Sequence, residues 1–526
     1  MSLRSRDFRP LVLLIVALCA FGAVYSTPAV APAKPNVVVI MTDDQTVEEL
    51  RVMTATKSLI GDAGVTFTNS FSSFPLCCPS RSTFLTGLYA HNHGVLENEA
   101  PTGGYYRLKS KNTLPVWLRA AGYRTVHVGK YLNSYGTKDP TEVPPGWSDW
   151  HSTVDPTTYQ MWGYEMNDNG TLHTYGTIDV EDPALYQTDV FRRKAVDAIH
   201  ASVDTGSPFF MTLWFLAPHR EVGSLSDQSG PRPAPRHAGA FAAEPLPRPP
   251  SFNEANMGDK PLFMRLKPSF DDAAIAEIQD HYRHELASLL AVDEAVADVI
   301  GTLQSEGILN NTYVIFTSDN GYFHGEHRTP DEKILGYEPS ARVPLMIRGP
   351  GITPGSRVSE LVANVDLAPT ITALTGATPG LKMDGRSLLP YIQAPSLRTR
   401  RPILLEAFMP VGSTLQFFTE QLPASGVVPR LEGTSAAAPL PTAPLGKAVL
   451  PYEAIHTDRY VYFEYVTGEH ELYDLQVDPW QISSKHLDPK YARTQLALAI
   501  ALTKLRLCRG DLCRAETGPI PDPPPA

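Results

Sequence analysis

Four stretches of this chain share one plan: a run rich in β-branched and aromatic residues that stops on a polar side chain. "KPNVVVIMTDDQ" ends at Asp43 and Asp44, "YRTVHVGKYLN" at Lys130, "PFFMTLWFLAPHR" at His219, and "NTYVIFTSDNG" at Asp319 and Asn320. Near-continuous apolar runs of this length suit strands buried on both faces, as in a parallel sheet. Between them the spacing turns helical. Over Asp271–Glu306, residues Ile275, Ile278, Tyr282, Leu286, Leu289, Val292, Val296, Val299 and Leu303 recur at three and four. Strands alternating with helices predict an α/β fold with a large, mostly parallel sheet between helical layers. Ligands of such sheets bind at the carboxyl ends of strands. All four polar endings sit there.

A chain of 526 residues has material for two domains. The large one is expected over 34–392. "RRPILLEAF", "YEAIHTDRYVYFEYV" and "HELYDLQVDP" predict antiparallel strands of a smaller C-terminal subdomain over 400–515. Within it, 411–450 is rich in Ala, Pro, Gly and Ser and reads as a flexible insertion. The tail 516–526, with "GPIPDPPPA", reads as disordered, and the Pro-rich Glu221–Lys260 as a long ordered loop over the strand ends. A net charge of −11 excludes the global basic field of a nucleic-acid binder. An anionic ligand must therefore be drawn by a local cluster of cations. The start, "MSLRSRDFRP" followed by an apolar run over Leu11–Tyr25, reads as a signal peptide at 1–26. That run is short of the roughly 20 residues that span a bilayer. An exported protein without stable membrane insertion is expected, extracellular, periplasmic or lysosomal according to its host.

Export sets the reading of the cysteines. Cys508 and Cys513, in "LCRGDLCR", have a spacing that suits a small disulfide-closed loop. Cys77 and Cys78, in "SFPLCCPSRSTFLTG", are adjacent, which makes a poor structural disulfide. Either both are buried thiols acting as small hydrophobes, or one has chemistry to do. Asp43, Asp44, Asp319 and Asn320 offer only oxygen ligands, a set that favours a hard cation, Ca2+ or Mg2+, over zinc. Either pair alone would also fit a turn or a helix cap. Arg81, Lys130, His219 and Lys333 supply cations for an anion site if they converge. The residues by themselves thus point to an exported, metal-assisted hydrolase of an anionic ester.

Cys77-Cys78-Pro79-Ser80-Arg81, followed by Leu85-Thr86-Gly87, matches the pattern Cys-x-Pro-Ser-Arg-x-x-x-Leu-Thr-Gly. With it the chain resembles the type I, formylglycine-dependent sulfatases. It is similar to their N-acetylglucosamine-6-sulfatase branch, which includes the extracellular heparan endosulfatases. "MTDDQ", "GKYLNSYG", "APHR", "RPPSFNE", "SDNGYFHGEHR" and "YEPSARVPLMIRGPG" carry the likeness further. The resemblance implies an alkaline-phosphatase-like α/β sandwich with a smaller C-terminal subdomain. It implies that a formylglycine-generating enzyme oxidises Cys77, with Cys78 a bystander. Asp43, Asp44, Asp319 and Asn320, with converted Cys77, would bind Ca2+, and Arg81 would hold the formylglycine hydrate. Lys130 and Lys333 would grip sulfate oxygens, Asp319 would assist as base, and His219, as imidazolium, would protonate the leaving sugar oxygen.

Many sulfatases carry a histidine two residues past the strand-end lysine. Leu132 stands there, as in the glucosamine-6-sulfatase branch, and the base that regenerates the aldehyde is left open. His93, in "AHNHGV", is a candidate, and His324 and His327 of "HGEHR" are candidates for sugar contact. The implied activity is hydrolysis of sulfate monoesters, chiefly 6-O-sulfate of N-acetylglucosamine-type sugars, in a sulfated glycan or a small ester. Two alternatives stand beside it: a phosphonate or phosphate monoester hydrolase on the same scaffold, and a non-catalytic protein that binds sulfated glycan.

Overall fold

The computed structural model describes residues 34–222, 230–330, 332–408 and 450–524. The expected leader and nearly all of the expected 411–450 insertion lie outside these residues. The strands in chain order begin with β1 (Asn36–Asp43), β2 (Val65–Phe67), β3 (Ser70–Phe71) and β4 (Arg124–Gly129). There follow β5 (Asp149–Thr153), β6 (Tyr164–Asp168), β7 (Thr171–Tyr175), β8 (Phe209–Pro218) and β9 (Thr312–Ser318). Next come β10 (Leu345–Arg348), β11 (Ser356–Val358) and β12 (Val362–Ala363). The last four are β13 (Ile403–Ala407), β14 (Tyr452–His456), β15 (Tyr460–Tyr465) and β16 (His470–Asp474).

Ten strands form one mixed sheet in the order β11-β2-β10-β9-β1-β8-β4-β5-β6-β7. Its centre is parallel: β1 pairs with β9 on one side and β8 on the other, and β8 pairs with β4. Strand β1 shows why the apolar runs gave no simple alternation. Val37, Val39 and Met41 face one core, with Phe84, Leu85 and Trp214. Val38 and Ile40 face the other, with Val292 and Val296 of the long helix. Side chains alternate across the sheet, and both faces are covered. Each such aliphatic side chain, fully buried, contributes ~1.5–3 kcal/mol. That helix runs Asp272–Ser305, and Asp271 caps it by accepting a hydrogen bond from Ala274 N at 2.9 Å. No helix among the described residues is long and apolar enough to cross a membrane.

Strands β13 to β16 make a separate antiparallel sheet, as the alternating C-terminal patterns predict. Its core is continuous with Phe74 and Leu76, just before Cys77, and with Phe323 and Tyr337 in the segment after β9. The smaller sheet therefore buttresses the segments that present the polar strand ends. The Cys508–Cys513 disulfide closes its tight loop. Of the tail expected to be disordered, 516–524 is described. Thr517 N bonds Arg400 O at 2.8 Å, and Asp522 pairs with Arg459 at 2.7 Å. Pro521 cannot donate, yet its carbonyl accepts from Thr494 Oγ1 at 2.5 Å. A Pro-rich segment keeps its acceptors, and these dock it.

Candidate active site

Because β9, β1, β8 and β4 are neighbours and parallel, their carboxyl ends form one row. Asp319 and Asn320, then Asp43 and Asp44, then His219, then Lys130 stand along it. Asp44 takes a left-handed backbone (φ 70°), which Asp tolerates better than bulkier residues. Gly129 must be glycine, since a Cβ there would lie 1.9 Å from Trp214 O on the neighbouring strand.

The Cys-Cys-Pro-Ser-Arg segment folds as the helix Cys77–Thr86, every residue of it buried. Gly87 ends it in the left-handed region (φ 67°), as a glycine C-cap does. The first turn meets the row of strand ends. Cys77 Sγ lies 3.5 Å from Asp43 Oδ1 and 3.2 Å from Lys333 Nζ. Ser80 Oγ donates to Asp319 O at 2.5 Å. Arg81 joins three strand ends: Nη2 donates to Asp43 Oδ2 at 2.6 Å, Nε to Asp319 Oδ2 at 2.8 Å, and Nη1 to Lys130 O at 2.7 Å. Its guanidinium also lies over Trp214 of β8, 5.2 Å from the ring centre. One side chain thus fixes all four central strands where the polar residues emerge.

Charges are nearly balanced. Lys130 Nζ is 2.6 Å from Asp43 Oδ2, and Lys333 Nζ is 2.5 and 2.7 Å from the two oxygens of Asp44. Burial alone would raise the Asp43 carboxyl, but Lys130 and Arg81 hold it well below the usual range. Asp44 is pushed up by burial and by Asp43, against the pull of Lys333. Asp319 is raised to about 6 by burial and Asp43. Burial pushes the Cys77 thiol up to about 12, so as a thiol it is no nucleophile at neutral pH. His219 is held neutral by burial and by Lys333 and Lys130. Its Nδ1 lies 2.7 Å from the Arg220 carbonyl, which leaves Nε2 facing the cluster, 3.7 Å from Asp44 Oδ2.

The residues present fit a hard cation. Asp43, Asp44 and Asp319 each bring an oxygen within 4.8 Å of the others, all buried. Asn320 Nδ2 donates to Asp44 Oδ1 at 2.7 Å, while its Oδ1 is buried with no hydrogen-bond partner. A buried amide oxygen without a donor, beside three carboxylates, is a natural ligand for Ca2+ or Mg2+. Three carboxylates against Arg81, Lys130 and Lys333 sum to about zero, so a bound dication would turn the cluster into an anion receptor.

The structure therefore brings together Cys77, Arg81, Lys130, His219, Lys333, Asp43, Asp44, Asp319 and Asn320. Other expected residues lie elsewhere. His93 has both ring nitrogens engaged, Nε2 with Thr83 Oγ1 at 3.1 Å and Nδ1 with Val95 N at 3.1 Å, so nothing is left for a reacting group. His327 is buried against Glu254 at 2.7 Å and stacks on Tyr337, out of reach of a sugar. Cys78 turns into the core beside the sheet. Tyr159 was not anticipated. Its ring lies 4.7 Å from Lys130 Nζ and 5.2 Å from the His219 ring, and Asn133 bonds its hydroxyl at 2.6 Å. It comes from a short turn between β5 and β6 with no motif around it.

The sulfatase family model matches residues 35–377. The arylsulfatase of Volvox carteri is 33% identical over 533 residues, covering 95% of this chain and 79% of its own length. Human N-acetylglucosamine-6-sulfatase is 33% identical over 520 residues, covering 96% of this chain and 90% of its own. The solved structure of a protein in complex with its substrate D-glucosamine-2-N,6-O-disulfate matches with a TM-score of 0.70 at 23% identity. That match covers 90% of this chain and 97% of the other, and shows a shared fold, the expected alkaline-phosphatase-like sandwich.

Proposed function

The chain belongs to the sulfatase family and hydrolyses sulfate esters, and from that premise we propose that it removes 6-O-sulfate from N-acetylglucosamine-type sugars of sulfated glycans after export. The observation that carries the site assignment is the meeting of four adjacent strand ends and the buried signature helix at Cys77. The choice of sugar rests on the likeness to human N-acetylglucosamine-6-sulfatase over nearly the whole chain. Converted to formylglycine, Cys77 would supply a hydrated aldehyde as nucleophile, and Ca2+ held by Asp43, Asp44, Asp319, Asn320 and that residue would supply positive charge to the sulfate.

The chain's own residues do the rest. Lys333, 3.2 Å from Cys77 Sγ, and Lys130, 2.6 Å from Asp43 Oδ2, bind the sulfate oxygens, offsetting the charge that repels a nucleophile. Asp319, in the same buried cluster as Asp43 and Asp44, takes the proton that the nucleophile loses. His219 Nε2 faces the cluster and gives a proton to the departing sugar oxygen. Burial and the two lysines disfavour that proton in the free site, and the negative charge of a bound sulfate favours it. Arg81, with its donors on Asp43, Asp319 and the Lys130 carbonyl, acts as a positioning residue behind the nucleophile.

The test is mass spectrometry of the peptide containing residue 77, followed by turnover of N-acetylglucosamine-6-sulfate and of one phenol's sulfate and phosphate esters. An aldehyde at 77, a thiol at 78 and faster cleavage of the sulfates are expected. Preference for the phosphate ester would move the assignment to a phosphoester or phosphonate hydrolase. Glycan binding with a thiol at 77 and no turnover would make it a binding protein.

A further inference from the structure

One cluster of buried ligating groups has no part in that chemistry. Glu49 follows β1, Glu285 lies within the helix Asp272–Ser305, and His324 follows β9; each brings one ligand atom within 4.8 Å of the others. Glu49 is 0%, Glu285 1% and His324 6% exposed. His324 Nε2 is 2.6 Å from Glu285 Oε2, and Glu285 Oε1 is 3.0 Å from His281 Nε2. Glu49 Oε2 accepts from Thr46 N at 2.7 Å and from Thr46 Oγ1 at 3.0 Å. Its Oε1 is buried with no hydrogen-bond partner. A third carboxylate, Glu326, accepts from His324 N at 2.7 Å. A carboxylate oxygen left bare in a dry interior is strongly disfavoured unless a cation or a proton meets it.

We propose that Glu49, Glu285 and His324 form a second metal site, separate from the all-oxygen cluster at Cys77, that takes a borderline first-row dication such as Zn2+. The donor set decides the class of ion. One imidazole with two carboxylates suits Zn2+ and its neighbours, whereas Ca2+ prefers oxygen alone. His281, against the second oxygen of Glu285, serves as the outer partner that fixes a ligating carboxylate. Two carboxylates, one neutral imidazole and a dication sum to zero charge, which suits burial.

The site has an approach. His324, with Thr46, Tyr282 and Tyr322, lines a cavity of about 600 Å³ that also meets Arg248, Arg342 and the half-exposed Trp480. Its place in the fold gives its effect. Glu49 is five residues past Asp44 and His324 four past Asn320. A bound ion would fasten both loops that follow the catalytic pairs to one rigid helix. The competing occupant is a proton, on Glu49, whose carboxyl burial and Glu285 push well up, or on His324, which against burial Glu285 raises to about 10.

The experiment uses the full chain, stripped with chelator, restored with excess Ca2+ and titrated with Zn2+ or Co2+ alone. Retention of one Zn2+ per chain in the presence of Ca2+ is expected, with a rise in melting temperature. Wild type, Cys77→Ala and Asp44→Asn should all show it, and Glu49→Gln and His324→Gln should bind at least ten-fold more weakly. In the wild-type Co2+ form, a hyperfine-shifted imidazole signal is expected, a readout that depends on no variant. Failure to retain Zn2+, or loss of it in Cys77→Ala or Asp44→Asn, would overturn the proposal. So would a Glu49→Gln variant that is more stable than wild type and binds Zn2+ equally well, since the oxygen then carries a proton.

Discussion

Replacing Arg81 with lysine keeps the charge and removes the fork. The guanidinium reaches Asp43, Asp319 and the Lys130 carbonyl at 2.6, 2.8 and 2.7 Å, and is fully buried. A single ammonium on a flexible stem holds one carboxylate well at most. One charge-assisted bond, ~1.5–3 kcal/mol, and one buried carbonyl acceptor, ~1–3 kcal/mol, are then lost, so Arg81→Lys should destabilise by roughly 3–5 kcal/mol. Unfolding entropy near 2.1 cal/mol/K per residue gives about 1 kcal/mol/K for a chain of this size, which makes the expected fall in melting temperature about 3–5 °C. Catalysis should suffer separately, because Asp43 and Asp319 lose the brace that sets their direction. A misplacement of order 1 Å is worth about 100-fold in rate. Thermal melts followed by calorimetry, with initial rates on an aryl sulfate well below the melting point, read both effects. Adding Asp319→Asn should cost less in the lysine background than in wild type, by about 1–3 kcal/mol of coupling. A melting temperature within a degree of wild type with near-normal turnover would refute the reasoning, and so would strict additivity.

Cys77→Ser should abolish turnover, since a serine hydroxyl cannot become the hydrated aldehyde unless it too is oxidised, whereas Cys78→Ala should leave kcat within about two-fold and cost ~1 kcal/mol of core packing; the reverse pattern would show that the other cysteine is converted. His219→Gln should slow sugar sulfates far more than aryl sulfates, whose leaving groups need no proton, and equal losses on both would remove His219 as the acid. Glu406 at 2.8 Å and the Cys508 carbonyl at 3.0 Å, against the opposing effect of burial, raise His91 from 6.5 to about 9. A raised histidine gives stability that is full below pH 6.5 and lost as pH rises through 9, up to ~3 kcal/mol for this shift. The stability gap between wild type and His91→Ala should therefore be widest near pH 6 and shrink above pH 9; a gap that does not change with pH would mean that His91 is held by packing alone.

What the sequence discloses depends on how far apart the cooperating residues lie along the chain. Asp43-Asp44 and Asp319-Asn320 are legible because each pair closes its own apolar strand, and a parallel sheet aligns strand ends without further instruction. Lys333 and Arg81 have no strand before them to mark them, so they are legible as cations, and only the likeness to a family gives them roles. Tyr159 has neither strand nor motif and meets Lys130 through the return of a loop. Glu49, Glu285 and His324 come from three separate elements, and no local pattern joins them. The opposite error arises where a motif is dense but its groups are already satisfied. "AHNH" sits beside the signature, yet Thr83 and Val95 engage His93 on both nitrogens.

The signature itself carries two messages. In the folded chain its Ser80 and Arg81 fasten strand ends, its Gly87 closes the helix, and Cys77 is 1% exposed. A maturing enzyme has no path to a thiol so enclosed. On the proposed function, oxidation of Cys77 must therefore precede burial of the helix. It follows that the purified, folded thiol form should not be converted by added formylglycine-generating enzyme, while the unfolded chain or a peptide over Ser73–Gly87 should be; conversion of the folded form at the peptide's rate would show that the helix opens far more readily than its packing implies.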